Sequence, residues 1–191
     1  MSRGAKCCVD TRNSDARAVV GSQPSAVRRS TLLSSAERAK LILMTQTIYE
    51  AAGGREAFLG LARAWHERCL ADPIVSHAFS HGFHPRHSER LAAYWAEALG
   101  GPSDYTESMG DQSTVLRMHS GNGEHLEMDE RAESCFALAL NDARLPDDPK
   151  LRTALKDYFH WANTTMSAYP KSKGDVPAGL PLARWSWDGP A

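Results

Sequence analysis

Eight histidines are spread along this chain, and two groupings of them have types and spacing that could do chemistry. His77, His81, His84 and His87 follow one another at intervals of four, three and three residues, which on an unbroken helix would align imidazoles for a zinc ion. Gly82 and Pro85 break any such helix, and no carboxylate or thiolate completes a set. These residues read as solvated loop histidines, and a zinc-dependent hydrolase centred on them ranks last among the alternatives. The second grouping is His66, His87 and His119. It requires two helices to offer an imidazole each to a shared interior, with a third supplied from "TVLRMHSGNG", where an apolar, basic segment gives way to Gly121, Asn122 and Gly123. Neutral imidazole both donates and accepts, so such a cluster suits metal ligation, general acid–base work or hydrogen bonding to a small ligand. The plainer reading makes His66 and His87 boundary histidines bonded to backbone carbonyls.

The elements that must position these residues are helical. Apolar residues recur at helical spacing, broken by Gly and Pro, with almost no period-2 alternation. A short helix covers about Ile48 to Ala52 and stops at Gly53-Gly54. The next, Arg55 to Ala71, carries Phe58, Leu61, Ala62, Trp65 and Cys69 on one stripe, which puts His66 at the edge of its buried face. Pro73 opens a turn containing Ile74, Val75 and Phe79. A helix from Arg86 to Leu99 places His87 on the face of Leu91, Tyr94 and Trp95, and Gly100-Gly101-Pro102 ends it. Residues 103–128 read as mostly irregular apart from Val115 and Leu116. Helices then follow over Asp129 to Ala143, carrying Ala132 and Phe136, and from Pro149 to about Tyr169.

Composition bounds the rest. With 191 residues, 42% of them hydrophobic, the chain can bury one ordinary core and leave material for tails. Basic and acidic residues nearly balance, 22 against 23, which gives no global positive charge for nucleic acid or an anionic membrane. Residues 1–43 nevertheless hold eight Lys or Arg and three acids, a net of +5, leaving −6 for the remainder. Their Ser- and Arg-rich stretch 1–33 has no periodicity and is expected to be disordered, with a short helix near 34–44. The expected organisation is a basic extension over 1–43, one domain over 44–169 and a Pro- and Gly-rich tail over 170–191, partly docked through Leu180, Leu182, Trp185 and Trp187. Four cysteines form neither a disulfide framework nor a repeated CxxC pattern, which fits a reducing cytoplasm. No apolar run approaches the roughly twenty residues of a membrane span.

From Thr47 to Tyr169 the chain resembles the group II truncated haemoglobins. The matching stretches are "IYEAAGG", "LARAWHERCLADP", "HSERLAAYWAEALGGPSDYT", "LRMH", "DERAESCFALALNDARLP" and "LRTALKDYFHWANTTM". The resemblance implies an all-α, two-over-two helical sandwich of truncated globin type, with N- and C-terminal extensions, holding haem b and its iron. On this alignment His119 matches the proximal iron ligand, with His125 as a nearby competitor. Arg117 and Met118 precede it as a propionate partner and an apolar contact. Phe79 matches the aromatic residue packed on the haem face, and Leu91 the apolar distal wall. Arg90 and Tyr105 match positions that meet propionates, while Tyr94, Trp95 and Phe136 fall within the same cofactor pocket.

Departures from the family pattern are as telling. His66 stands where most relatives have a distal tyrosine, His87 where many have a small residue, and Ala132 where a tryptophan is expected. Two hydrogen-bond donors are thereby lost, and an imidazole N–H can replace one. His66 then suits donation to bound dioxygen, and His87 suits service as a sixth iron ligand; either imidazole could act as an acid or base. The implied function is reversible binding of dioxygen, nitric oxide or carbon monoxide, with peroxidase-like or nitric-oxide-consuming redox chemistry as an extension that needs an unidentified electron donor. A homodimer is implied only by family analogy. The competing reading is a haem-free globin-fold binding or sensor module.

Overall fold

The computed structural model describes Ser34, Glu37 and residues 46–191; the remainder of the basic extension and of the helix expected near 34–44 lies outside the described residues. Thr47 starts the first element. Its hydroxyl accepts the Glu50 N–H at 3.1 Å while the Glu50 carboxylate accepts the Thr47 N–H at 2.8 Å, a reciprocal cap that opens α1 (Ile48–Ala52). In chain order there follow α2 (Gly54–Ala71), a 3-10 turn at Val75–Phe79, α3 (His87–Ala98), α4 (Asp104–Ser108), α5 (Gln112–His119), α6 (Leu126–Asp142) and α7 (Pro149–Met166). The tail adds a 3-10 turn at Lys173–Asp175 and a two-residue antiparallel ladder, β1 (Trp185–Ser186) with β2 (Gly189–Pro190).

α2 packs on both α3 and α6, and α6 packs on α7, so the pairs α2/α3 and α6/α7 make the two layers. The interior between them is aromatic. Phe136 stacks on Phe159 with centroids 4.1 Å apart, and Trp95 meets both rings edge-on at 5.5 and 5.9 Å. Trp65 joins this cluster through Trp95, and its indole N–H donates to the Ala132 carbonyl at 3.2 Å. Each fully buried Leu or Phe here contributes about 1.5–3 kcal/mol. The expected stripes are therefore the core: Phe58, Leu61, Ala62 and Cys69 of α2, Tyr94, Trp95 and Ala98 of α3, and Leu151, Leu155 and Tyr158 of α7 are all buried. The two glycines after α3 permit a close approach. A Cβ on Gly100 would lie 2.7 Å from Thr47 Cβ, and one on Gly101 would lie 2.8 Å from the Tyr49 ring.

One expectation needs correcting. Residues 103–128 are not mostly irregular, since they contain α4 and α5, and α6 begins at Leu126 rather than Asp129. α5 is eight residues long, with only Val115 and Leu116 as buried apolar side chains, so it carries too little periodicity to announce itself. Its start is set by Asp111, whose carboxylate accepts the Thr114 N–H at 2.7 Å. His119 is thus the last residue of a helix, not part of an irregular stretch.

Candidate functional site

α2, the loop after it and α3 bring four rings together. His66 of α2 and His87 at the start of α3 lie with ring centroids 4.5 Å apart and planes inclined at 42°. Phe79, from the 3-10 turn, contacts both, at 4.9 Å from His66 and 5.5 Å from His87. Phe83 stands edge-on to His66 at 4.5 Å and reaches Phe79 and His87 at 5.9 Å each. Sequence reasoning missed Phe83, because it sits in a broken, histidine-rich loop where no periodicity singles it out.

Apolar neighbours leave these imidazoles short of partners. Nε2 of His66 and Nδ1 of His87 are buried with no hydrogen-bond partner. An orphaned buried polar atom costs about 1–3 kcal/mol, so the plain reading of boundary histidines bonded to carbonyls fails at these two atoms. Burial lowers the pKa of His66. His87 is pushed down to about 4, first by burial and then by the charges of His66, His119, His84 and Arg90. Both rings are therefore neutral at pH 7, each with one N–H and one lone pair.

His119 is held differently. Its Nδ1 lies 2.9 Å from the Val115 carbonyl oxygen one turn earlier, which fixes Nδ1 as the donor and leaves the lone pair on Nε2. Burial depresses its pKa, with the Val115 bond opposing the shift, although as a whole residue His119 is exposed. Its exposure at the C-terminal end of α5 shows that His119 is not enclosed in the packed core. Met118 beside it and Leu126 at the start of α6 are exposed apolar side chains, as is Phe83. His125, the competitor, directs Nδ1 to the Asp129 carboxylate at 3.0 Å.

Leu91 is half-buried against the core, Ala132 is buried beside Cys69, Val75 and Cys135, and Trp95 and Phe136 belong to the aromatic interior. The Tyr94 hydroxyl donates to Gln112 at 2.8 Å. Arg90 donates to the Met109 carbonyl at 2.7 Å and lies over the buried Tyr105 ring at 5.7 Å. Arg117 donates to Val176 and Pro177 carbonyls of the tail, at 3.3 and 3.4 Å. His77, His81 and His84 are exposed, and among the described residues no group of three or more His, Cys, Asp or Glu is arranged to hold a metal ion. The zinc alternative has no ligand set there.

The family model for bacterial-like globins matches residues 47–167. This chain belongs to that family. Among solved structures, the globin is similar to a haemoglobin of Chloroflexus aurantiacus, at 28% identity over 63% of this chain and 97% of that one, with a TM-score of 0.55. It is also similar to a thermostable haemoglobin of Thermobifida fusca, at 28% identity over 71% of this chain and 100% of that one, with a TM-score of 0.53. The group II truncated haemoglobin of Bacillus anthracis, at 21% identity over 69% of this chain and 98% of that one, with a TM-score of 0.57, shares the fold. Comparison with curated protein sequences finds no match. The all-α truncated-globin fold expected from sequence is thus the fold found, and family membership supports a haem-binding globin. No helix among the described residues is long and apolar enough to cross a membrane.

Proposed function

We propose that this globin holds haem b through His119 and reversibly binds dioxygen or another diatomic ligand beside His66 and His87. The observation that carries the reading is the Nδ1 bond of His119 to Val115, which presents Nε2 with its lone pair free, in a chain of a globin family. The residues present fit the group. Two buried imidazole nitrogens without partners face an aromatic setting, and exposed Phe83, Met118 and Leu126 are apolar surfaces that a porphyrin would cover. When bound, haem iron supplies the affinity for diatomic ligands and the capacity for redox chemistry.

The chain's own residues then have distinct tasks. His119 anchors from the α5 side. Phe79 and Leu91 supply apolar contact, and the neutral His66 imidazole offers an N–H to a bound ligand that carries negative charge. His87, at the head of α3, would be the residue able to hold the iron in place of a gas, and either neutral ring could hold or pass a proton if haem supplied peroxidase-like or nitric-oxide-consuming chemistry with an external electron donor. Arg90 and Arg117 each keep N–H groups beyond those bonded here and are the cations for haem carboxylates, with Tyr105 supporting Arg90 from below.

Absorption spectra of the protein supplied with haem test this directly. A stoichiometric Soret band that His119→Ala abolishes is the expected result. A wild-type protein that takes up no haem would instead favour a haem-free binding module. Ferric and ferrous spectra of His87→Leu show whether His87 reaches the iron.

A further inference from the structure

The family model stops at residue 167, yet the chain beyond it is bonded to both helices that carry the site. On the α5 side, the Ser113 hydroxyl accepts the Leu180 N–H at 3.0 Å, and Arg117 donates to the Val176 and Pro177 carbonyls. Just past His119, the N–H groups of Gly121 and Gly123 donate to the Tyr169 and Pro170 carbonyls at 3.1 and 3.0 Å. On the α3 side, the Arg184 guanidinium donates to the Glu97 carbonyl and, at 3.2 Å, to the Glu97 carboxylate. Glu97 is buried and also accepts the N–H groups of Tyr105 and Thr106, so the junction is fully engaged.

The segment between these anchors is seated. Val176 and Leu182 are buried, and Trp185 packs on Trp161 at 5.3 Å and on Tyr158 at 6.0 Å. The Trp187 indole donates to the Gln46 carbonyl at 2.7 Å. α5, by contrast, has only two helical turns, and a helix this short does not hold its own position; its partners do.

We propose that residues 169–191 form a strap that fixes α5 relative to α3 and thereby sets how rigidly His119 is presented, with Arg117 and Arg184 as its positioning residues. The consequence for haem rests on the function proposed above, whereas the strap itself does not. Arg184 touches α3 and not α5. Loosening it releases α5 only if the intervening chain transmits the restraint.

Hydrogen exchange of the full-length, haem-free protein tests this. In Arg184→Gln, amides of residues 115–119 should exchange about tenfold faster than in wild type while those of α6 keep their rates. Arg117→Ala should give the same pattern, and Arg117→Lys should recover part of the protection, because an ammonium can still donate to a carbonyl. In protein loaded with haem and reduced, Arg184→Gln, whose guanidinium has no assigned contact with the haem, should shift the iron–histidine stretching band and speed haem transfer to apomyoglobin. The strap is refuted by unchanged exchange in α5, or by acceleration spread evenly over all helices, which reports general loss of stability. If Arg184→Gln does not fold, the Arg117 pair decides by the same criterion. Failure of the wild type to take up haem would sink the haem reading and leave the exchange result to judge the strap.

Discussion

Around His119, polar side chains have protein partners: His119 bonds Val115, Ser120 donates to Leu116, Ser113 accepts from Leu180, and Arg117 reaches two tail carbonyls. Across the site, His66 and His87 lie against Phe79 and Phe83 with two ring nitrogens left bare. On the first side, each of these polar side chains has a protein partner, and the Val115 bond leaves the His119 Nε2 lone pair unused. The second keeps two polar atoms in an apolar setting at a cost of about 1–3 kcal/mol each.

The largest effect that separates them is His119→Ala, which should abolish the stoichiometric Soret band while leaving far-ultraviolet circular dichroism unchanged. Retention of that band would move the anchoring role to the other wall. Next, removing a polar group should change stability in opposite directions on the two sides. His87→Leu should stabilise the haem-free protein by about 1 kcal/mol, because it deletes an unpaired buried nitrogen. Ser120→Ala should destabilise it by a similar ~1 kcal/mol, because the hydroxyl has a partner. Urea titration of both variants without haem measures the two signs, and equal signs would erase the contrast.

The remaining contrast is a pH slope. His87 titrates at about 4 in the fold against 6.5 for the ordinary imidazole, and His66 shifts the same way, so the unfolded chain takes up protons first as pH falls. Stability of the haem-free protein should be complete above roughly pH 6.5, decline toward about pH 4, and level off below that for this group. His87→Leu should make the decline shallower when denaturation midpoints are compared across the range.

Much of the scaffold was legible because its signals are local. The Phe58/Leu61/Trp65 and Leu91/Tyr94/Trp95 stripes, the Gly100-Gly101-Pro102 stop and Pro149 all act within a few residues. α5 was missed because two turns with two buried apolar residues give no measurable period, and its cap and its strap, rather than its pattern, hold it. Phe83 was missed for a related reason: its partners lie on two different helices, and nothing in the loop sequence states that they meet.

Residue spacing by itself determined that the body of this chain is helical, which faces are apolar, and that His66 sits at an inner edge, because those properties follow from a 3.6-residue repeat and from backbone-limited Gly and Pro. Only the tertiary structure decided that His66 and His87 touch, that the Val115 carbonyl accepts the Nδ1 N–H of His119, and that a tail outside the family match is bonded to both α3 and α5. Those are distances between atoms far apart in sequence or fixed by a local turn whose ends packing sets, and no pattern of residue types encodes a distance.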